Sequence, residues 1–282
     1  MFPSPSIPVV YVDDHLLVVS KPAGMPSLVD GYHPEAPFLA GILRKTYPAL
    51  WVVHRLDRQT SGVIVFARTA AAHRLLNAQF EQRQAVKTYH ALVQGLPAWE
   101  CQSIRLPLRP NGDRRHRTIV DHQHGKPAET DLLVLERFDQ FTLLQATPHT
   151  GRTHQLRAHL AASGHPIVSD PLYGGAELLG AQPPSLARLG LHAFSLKLVH
   201  PGSGEEMVVS APYPEDLAQA INMLRLAAAQ ANPTPSGPPQ RTLFDLRGSV
   251  QASGTQNLDA ARSQAIREHV YRLVDENSDE GT

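Results

Sequence analysis

The chain has a single cysteine, Cys101, in 282 residues. That excludes a disulfide framework and a cysteine-based metal site, and it fits a reducing compartment. No apolar run approaches the length that spans a bilayer. The opening Met1-Phe2-Pro3-Ser4-Pro5 lacks the basic start and apolar stretch of a secretory signal. A soluble, cytoplasmic protein is expected. Net charge is missing too: 26 basic and 26 acidic side chains cancel, so no global basicity advertises nucleic acid. G-x-G-x-x-G, G-x-x-x-x-G-K and G-x-S-x-G are all absent. Neither a nucleotide cofactor nor a serine nucleophile at Ser61 is therefore expected. His149, His154 and His159 recur every five residues. Five residues turn a helix by about 140°, so these rings do not share the face that a zinc pair needs, and no metal is expected.

What the chain does have is a concentrated polar turn, His54-Arg55-Leu56-Asp57-Arg58-Gln59-Thr60-Ser61-Gly62, directly before the apolar run Val63–Ala67. Asp57 lies between two guanidinium groups. Nearby positive charge favours the ionised carboxylate, which makes Asp57 a candidate nucleophile or anionic catalyst more than a proton donor. Taken alone, the triplet reads equally well as a solvated surface cluster.

The rest of the chain predicts an α+β fold with a mainly antiparallel mixed sheet and a few flanking helices around a central cleft. Val9–Val12 and Leu16–Val19 form a β-hairpin across Asp13-Asp14-His15. Gly62–Ala67 is a buried strand. Thr69 caps a helix running to about Arg83, with Leu75, Leu76 and Phe80 inward. Lys87–Gly95 is a strand with Tyr89, Ala91 and Val93 on one face. Glu129–Glu136 pairs with Phe141–Ala146, and Leu191–Val199 pairs with Met207–Ala211. A short helix spans Thr153–Ser163 with Thr153 as its cap, and a last helix covers Pro214–Ala231. Residues 1–231 form the body, 232–257 a Pro/Gly-rich linker, and 258–282 a polar tail with room for one helix.

Two further segments carry chemistry. In Gly151-Arg152-Thr153-His154-Gln155-Leu156-Arg157, Arg152 stands at a helix start, where amides and the helix dipole favour anions; it can grip a phosphate or a carboxylate, Asp57 above all. Between Cys101 and Lys126 lie Arg105, Arg109, Arg114, Arg115 and Arg117 against Asp113 and Asp121. This basic insertion suits either phosphate or plain solvent.

HRLDRQTSG, KTYHALVQG and GRTHQLRAHLAASGHPIVSDPLYG, flanked by KPAGMPSL and LHAFSLKLVHPGSGE, resemble the RluA-type pseudouridine synthase family over about residues 9 to 213. The resemblance implies isomerisation of uridine to pseudouridine in ribosomal RNA or a tRNA stem-loop. It implies no cofactor and no metal, because no atoms enter or leave. By the same resemblance Asp57 is the catalytic carboxylate, attacking the anomeric carbon or removing a sugar proton, and Arg152 is its partner. Tyr89 stacks on the base and Leu156 closes the pocket. Arg55 fills the space left by the flipped nucleotide. Lys21 and the arginines between Arg105 and Arg117 are candidates for phosphate contact, and Arg58 is a further candidate for binding substrate. The accessory N-terminal RNA-binding domain of some relatives is expected to be absent, and a monomer is expected. The alternative is a non-catalytic RNA-binding or ribosome-assembly protein on the same fold. A carboxylate beside phosphates would only weaken such a binder. A glycosidase would want a second carboxylate across the bond, and none appears in the motif segments.

Overall fold

The structure is a computed structural model describing residues 7–231 apart from 32 and 176–184. The expected linker at 232–257 and tail helix at 258–282 lie outside the described residues. In chain order the elements are β1 (Val9–Val12), β2 (Leu16–Lys21), α1 (Leu39–Leu43), β3 (Trp51–Val52), β4 (Ser61–Ala67) and α2 (Ala70–Glu81). Then come β5 (Val86–Gln94), β6 (Cys101–Ile104), β7 (Leu108–Arg109), β8 (Ile119–Val120), β9 (Thr130–Arg137) and β10 (Phe141–Pro148). The last are α3 (Gln155–Ala162), β11 (Leu191–Val199), β12 (Glu206–Ser210) and α4 (Glu215–Ala231).

Among the described residues a 10-stranded sheet runs β1-β2-β4-β11-β5-β10-β9-β6, with β3 on β4 and β12 on β11. Only the β11–β4 pairing is parallel; the other pairings of this sheet are antiparallel. The mixed, mainly antiparallel α+β architecture is therefore as expected. The parallel contact also explains Gly62. Its φ is 113°, and a Cβ there would stand 2.1 Å from the Ala193 carbonyl oxygen, so only glycine lets β4 and β11 come together.

Strand β4 is buried along its whole length, as a central strand covered on both faces must be. Val63 and Val65 pack towards α2, whereas Ile64 and Phe66 pack towards Leu39, Ala40 and Leu43 of α1. Each such side chain contributes about 1.5–3 kcal/mol by leaving water. Thr69 does cap α2, accepting a hydrogen bond from Ala72 N at 3.1 Å. Leu75, expected inside, is instead 50% exposed, because Ala72 and Leu76 carry the buried stripe.

Tyr89 packs against two hydrophobic clusters, one around Leu17, Ile64 and Phe66 and the other around Val93, Leu144 and Leu160. It marks the seam between the two halves of the sheet. No helix among the described residues is long and apolar enough to cross a membrane.

Candidate active site

A cavity of about 810 Å³ opens over that seam. The turn before β4 supplies Arg55 and Asp57, β5 supplies Lys87 and Tyr89, and the segment from the end of β10 into α3 supplies Arg152 and Leu156. Five sequence-predicted residues, Asp57, Tyr89, Arg152, Arg55 and Leu156, thus share one wall-to-wall space although they lie up to a hundred positions apart. Lys21 and Arg58 are not among its lining residues.

Lys21 departs most from expectation. It is fully buried and touches no solvent, so it is no surface contact for phosphate. Its ammonium donates to the carbonyls of Pro22 at 2.9 Å, Met25 at 2.8 Å and Arg58 at 3.1 Å. Burial pulls its pKa to about 7 while the Asp57 charge pulls it back up. Three carbonyl acceptors match the three N–H bonds of the charged form. Lys21 is a clamp that ties the end of β2 to the residue after Asp57. Arg58 donates to the Gly24 carbonyl at 3.0 Å and remains exposed beside the turn.

The base of the turn is held by His54. Its Nε2 accepts from Val65 N at 3.1 Å, and its ring stacks on Phe80 at 4.7 Å. That acceptor role puts the proton of the neutral ring on Nδ1. Burial, with Lys87 adding repulsion, lowers its pKa to about 3, so it stays neutral. Behind the sheet, Ser61 and His192 are wholly buried. Since His192 Nε2 donates to the Ala211 carbonyl at 3.0 Å, its Nδ1 accepts from Ser61 Oγ at 2.9 Å. Arg188 Nη1 donates to the same Oγ at 3.1 Å, and its Nε pairs with Asp216 at 2.9 Å. Ser61 is thus a structural knot behind the turn, which agrees with its lack of nucleophile context.

Two predicted details of the third segment change. Helix α3 begins at Gln155, and its N-cap is His154 in a left-handed conformation (φ 51°), not Thr153. The cap work falls to the buried Gln155 side chain: Oε1 accepts from Arg152 N at 3.1 Å and Thr150 Oγ1 at 2.7 Å, and Nε2 donates to the Glu129 carbonyl at 2.9 Å. Arg152 forms no ion pair with Asp57; its Nε donates to the Pro127 carbonyl at 3.2 Å.

The Asp57 charge also acts on the Arg157 guanidinium, after burial and the Asp170 carboxylate. Arg157 is buried and bidentate to Asp170, at 2.7 and 2.8 Å, and lies 5.0 Å over the Tyr173 ring. The Asp57 carboxylate raises the Tyr89 phenol pKa, after burial, and opposes the burial that depresses His154. The Asp57 charge thus acts on Lys21, Tyr89, His154 and Arg157, and Asp57 makes no ion pair of its own among the described residues. Sequence reasoning missed Arg157 and His154. Strained left-handed residues concentrate at functional sites, but that signal exists only in the backbone.

At the rim, His149 and Asp131 pair at 2.6 Å. The carboxylate raises the His149 pKa, and its own pKa is lowered in turn by His149 and Ser103. Among the described residues, no three or more His, Cys, Asp or Glu side chains cluster as metal ligands would.

This geometry meets independent comparisons. The family model described as RNA pseudouridylate synthase matches residues 15–162. The chain belongs to the RNA pseudouridylate synthase family. Its curated relatives include the protein named ribosomal large subunit pseudouridine synthase C from Vibrio cholerae, 40% identical over 222 residues, covering 78% of this chain and 70% of the relative. The Escherichia coli K12 protein of the same name is 40% identical over 225 residues, with the same coverage. Among solved structures, human RNA pseudouridylate synthase domain containing 1 superposes with a TM-score of 0.62 at 32% identity, covering 76% of this chain and 87% of that one. As a pseudouridine synthase, the chain isomerises uridine to pseudouridine in RNA.

Proposed function

We propose that the cavity receives a uridine extruded from large-subunit ribosomal RNA, and that Asp57 is the carboxylate that acts on its sugar. The observation that carries this reading is the state of Asp57. It lines a cavity of about 810 Å³ with no ion pair of its own, whereas Asp131 is taken by His149 and the buried Asp170 by Arg157. The ribosomal target is suggested by the names of the relatives at 40% identity.

A stacked uridine cannot present its anomeric carbon to a protein carboxylate, so the nucleotide must leave the stack. Arg55, exposed at the cavity mouth, is placed to fill the gap. Tyr89 offers a flat face that tolerates a rotating base better than a fixed set of hydrogen bonds would. Leu156 closes the apolar side. Breaking the glycosidic bond leaves an electron-poor sugar, which an adjacent anion stabilises. Asp57 either bonds to the anomeric carbon or removes a sugar proton to give a glycal. Rejoining through carbon 5 releases the proton there, and the base nitrogen gains one, so atoms balance without cofactor or metal. Arg157, anchored by Asp170, replaces Arg152 as the cation that orients Asp57; Arg152 is left to face RNA.

The protein is proposed to work as a monomer in the cytoplasm. Residues 1–231 act as the catalytic domain, and 232–257 and 258–282 are a linker and a tail. Pseudouridine mapping at nucleotide resolution, in cells with and without this protein, tests the target. Loss of one or a few sites in large-subunit RNA is expected. Loss confined to tRNA would overturn the ribosomal assignment.

A further inference from the structure

Lys87 is a cavity residue to which the account above gives no task. It lies two positions before Tyr89 on β5, so both side chains leave one face of the strand about 6.8 Å apart along the chain, and both line the cavity. Its ammonium makes no hydrogen bond or ion pair among the described residues. Burial draws its pKa below the usual lysine range.

Two observations locate the ammonium. Its charge reaches the buried ring of His54. A Cβ on Gly151 would stand 4.0 Å from its Nζ. It thus sits between the root of the Asp57 turn and the loop that leads to α3. Arg83, with a left-handed backbone (φ 60°), brings a second cation to the same wall. Of the acidic groups lining the cavity besides Asp57, Glu81 is exposed and Asp131 is engaged by His149 and Ser103. A partly buried cation without a counter-ion is costly unless a ligand supplies the charge.

We propose that Lys87 holds the backbone phosphate next to the extruded uridine, so that the sugar is set over Asp57 while the base lies against Tyr89. The strand spacing matches the ligand: one sugar separates the base of a nucleotide from its phosphate, and one residue, Thr88, separates Lys87 from Tyr89. The inference rests on the proposed placement of the uridine in this cavity.

The test uses the full chain and a synthetic RNA stem-loop carrying the mapped uridine, with affinity measured across a KCl series. Neutralising one phosphate contact lowers the slope of log K against log salt by roughly 0.7 on single-stranded RNA. Lys87→Met is expected to lose that much slope and Lys87→Arg to keep it. A methylphosphonate at the phosphate flanking the target uridine should cost the wild-type protein the same slope and cost Lys87→Met nothing more. An unchanged slope in Lys87→Met, or methylphosphonate and mutant losses that add in full, would overturn the assignment. Should Lys87→Met fail to fold, Lys87→Gln takes its place in both arms. Wild-type turnover of the unmodified stem-loop tests the underlying reading separately. Turnover with additive losses sinks Lys87 alone, whereas no turnover sinks the placement of the uridine.

Discussion

The Asp57 turn and the insertion between Cys101 and Lys126 are both dense in charge, yet they dispose of it in opposite ways. In the insertion, Arg105 pairs with Glu129 at 2.8 Å, Arg109 with Asp121 at 2.5 Å and Arg117 with Asp113 at 2.6 Å. Arg115 donates to the Pro171 carbonyl at 2.9 Å, which leaves Arg114 and Lys126 exposed as its phosphate candidates. In the turn, the backbone and the residues behind it are tied down by Lys21, His54 and Arg188, while Asp57 itself is left without an ion pair in the cavity. A rigid frame around an unsatisfied charge is the preorganisation that catalysis requires. Charge that is already neutralised locally shapes a surface. The density of arginine in a sequence therefore says less about function than where its partners are.

This contrast can be broken most severely at Gly62. Gly62→Ala would place a methyl group against the Ala193 carbonyl at a positive φ. A cost of at least about 3 kcal/mol is expected, seen as a large fall in Tm together with loss of activity. A variant that melts near the wild-type temperature would show that the β4–β11 contact does not hold the turn.

Next in size is Arg157→Met. It leaves the Asp170 carboxylate buried without its cation, which costs about 3–5 kcal/mol. Arg152→Met loses one carbonyl contact and should cost about 1 kcal/mol or less. Thermal unfolding of the pair ranks the two arginines, and equal losses would contradict a buried ion pair between Arg157 and Asp170.

The polar knot behind the turn should show itself in pH dependence. Burial lowers the pKa of His54 and His90 to about 3 and that of His192 to about 4. The unfolded rings titrate near about 6.5, so below that pH the unfolded state binds protons that the folded state refuses. Their stabilising effect is complete above about pH 6.5 and is lost as pH falls towards 4. Tm should decline steeply from pH 6.5 to 4.5, and a flat profile there would contradict the buried, neutral histidines. The smallest effect belongs to the insertion. Arg105→Ala breaks an exposed ion pair and should shift stability by no more than about 1 kcal/mol, with isomerisation on a good substrate retained. A severe loss of turnover would bring the insertion into the site.

Much of this was legible beforehand because strands, caps and turns are written locally. The Thr69 cap, the buried β4 run and the period-two face of Tyr89, Ala91 and Val93 needed only neighbouring residues. The motifs also named Asp57, Tyr89, Arg152, Arg55 and Leu156, which the fold collects in one cavity. What could not be read was which arginine meets which carboxylate. Arg152 and Arg157 stand on one short segment, and their partners are decided by the left-handed turn at His154 and by Asp170, thirteen residues beyond Arg157. The burial of Lys21 was hidden for a similar reason: a lysine before a proline reads as exposed until three carbonyls converge on it. The two-residue strands β3, β7 and β8 carry too few side chains to show a period.

In the proposed mechanism Asp57 performs the chemistry while its surroundings only hold it in place. Single-turnover pseudouridine formation by Asp57→Asn, with RNA affinity measured on the same preparation, tests this most directly. The account predicts a rate reduced by at least about 10³-fold with RNA affinity and Tm close to wild type. Isomerisation near the wild-type rate by the folded, RNA-binding variant would contradict it.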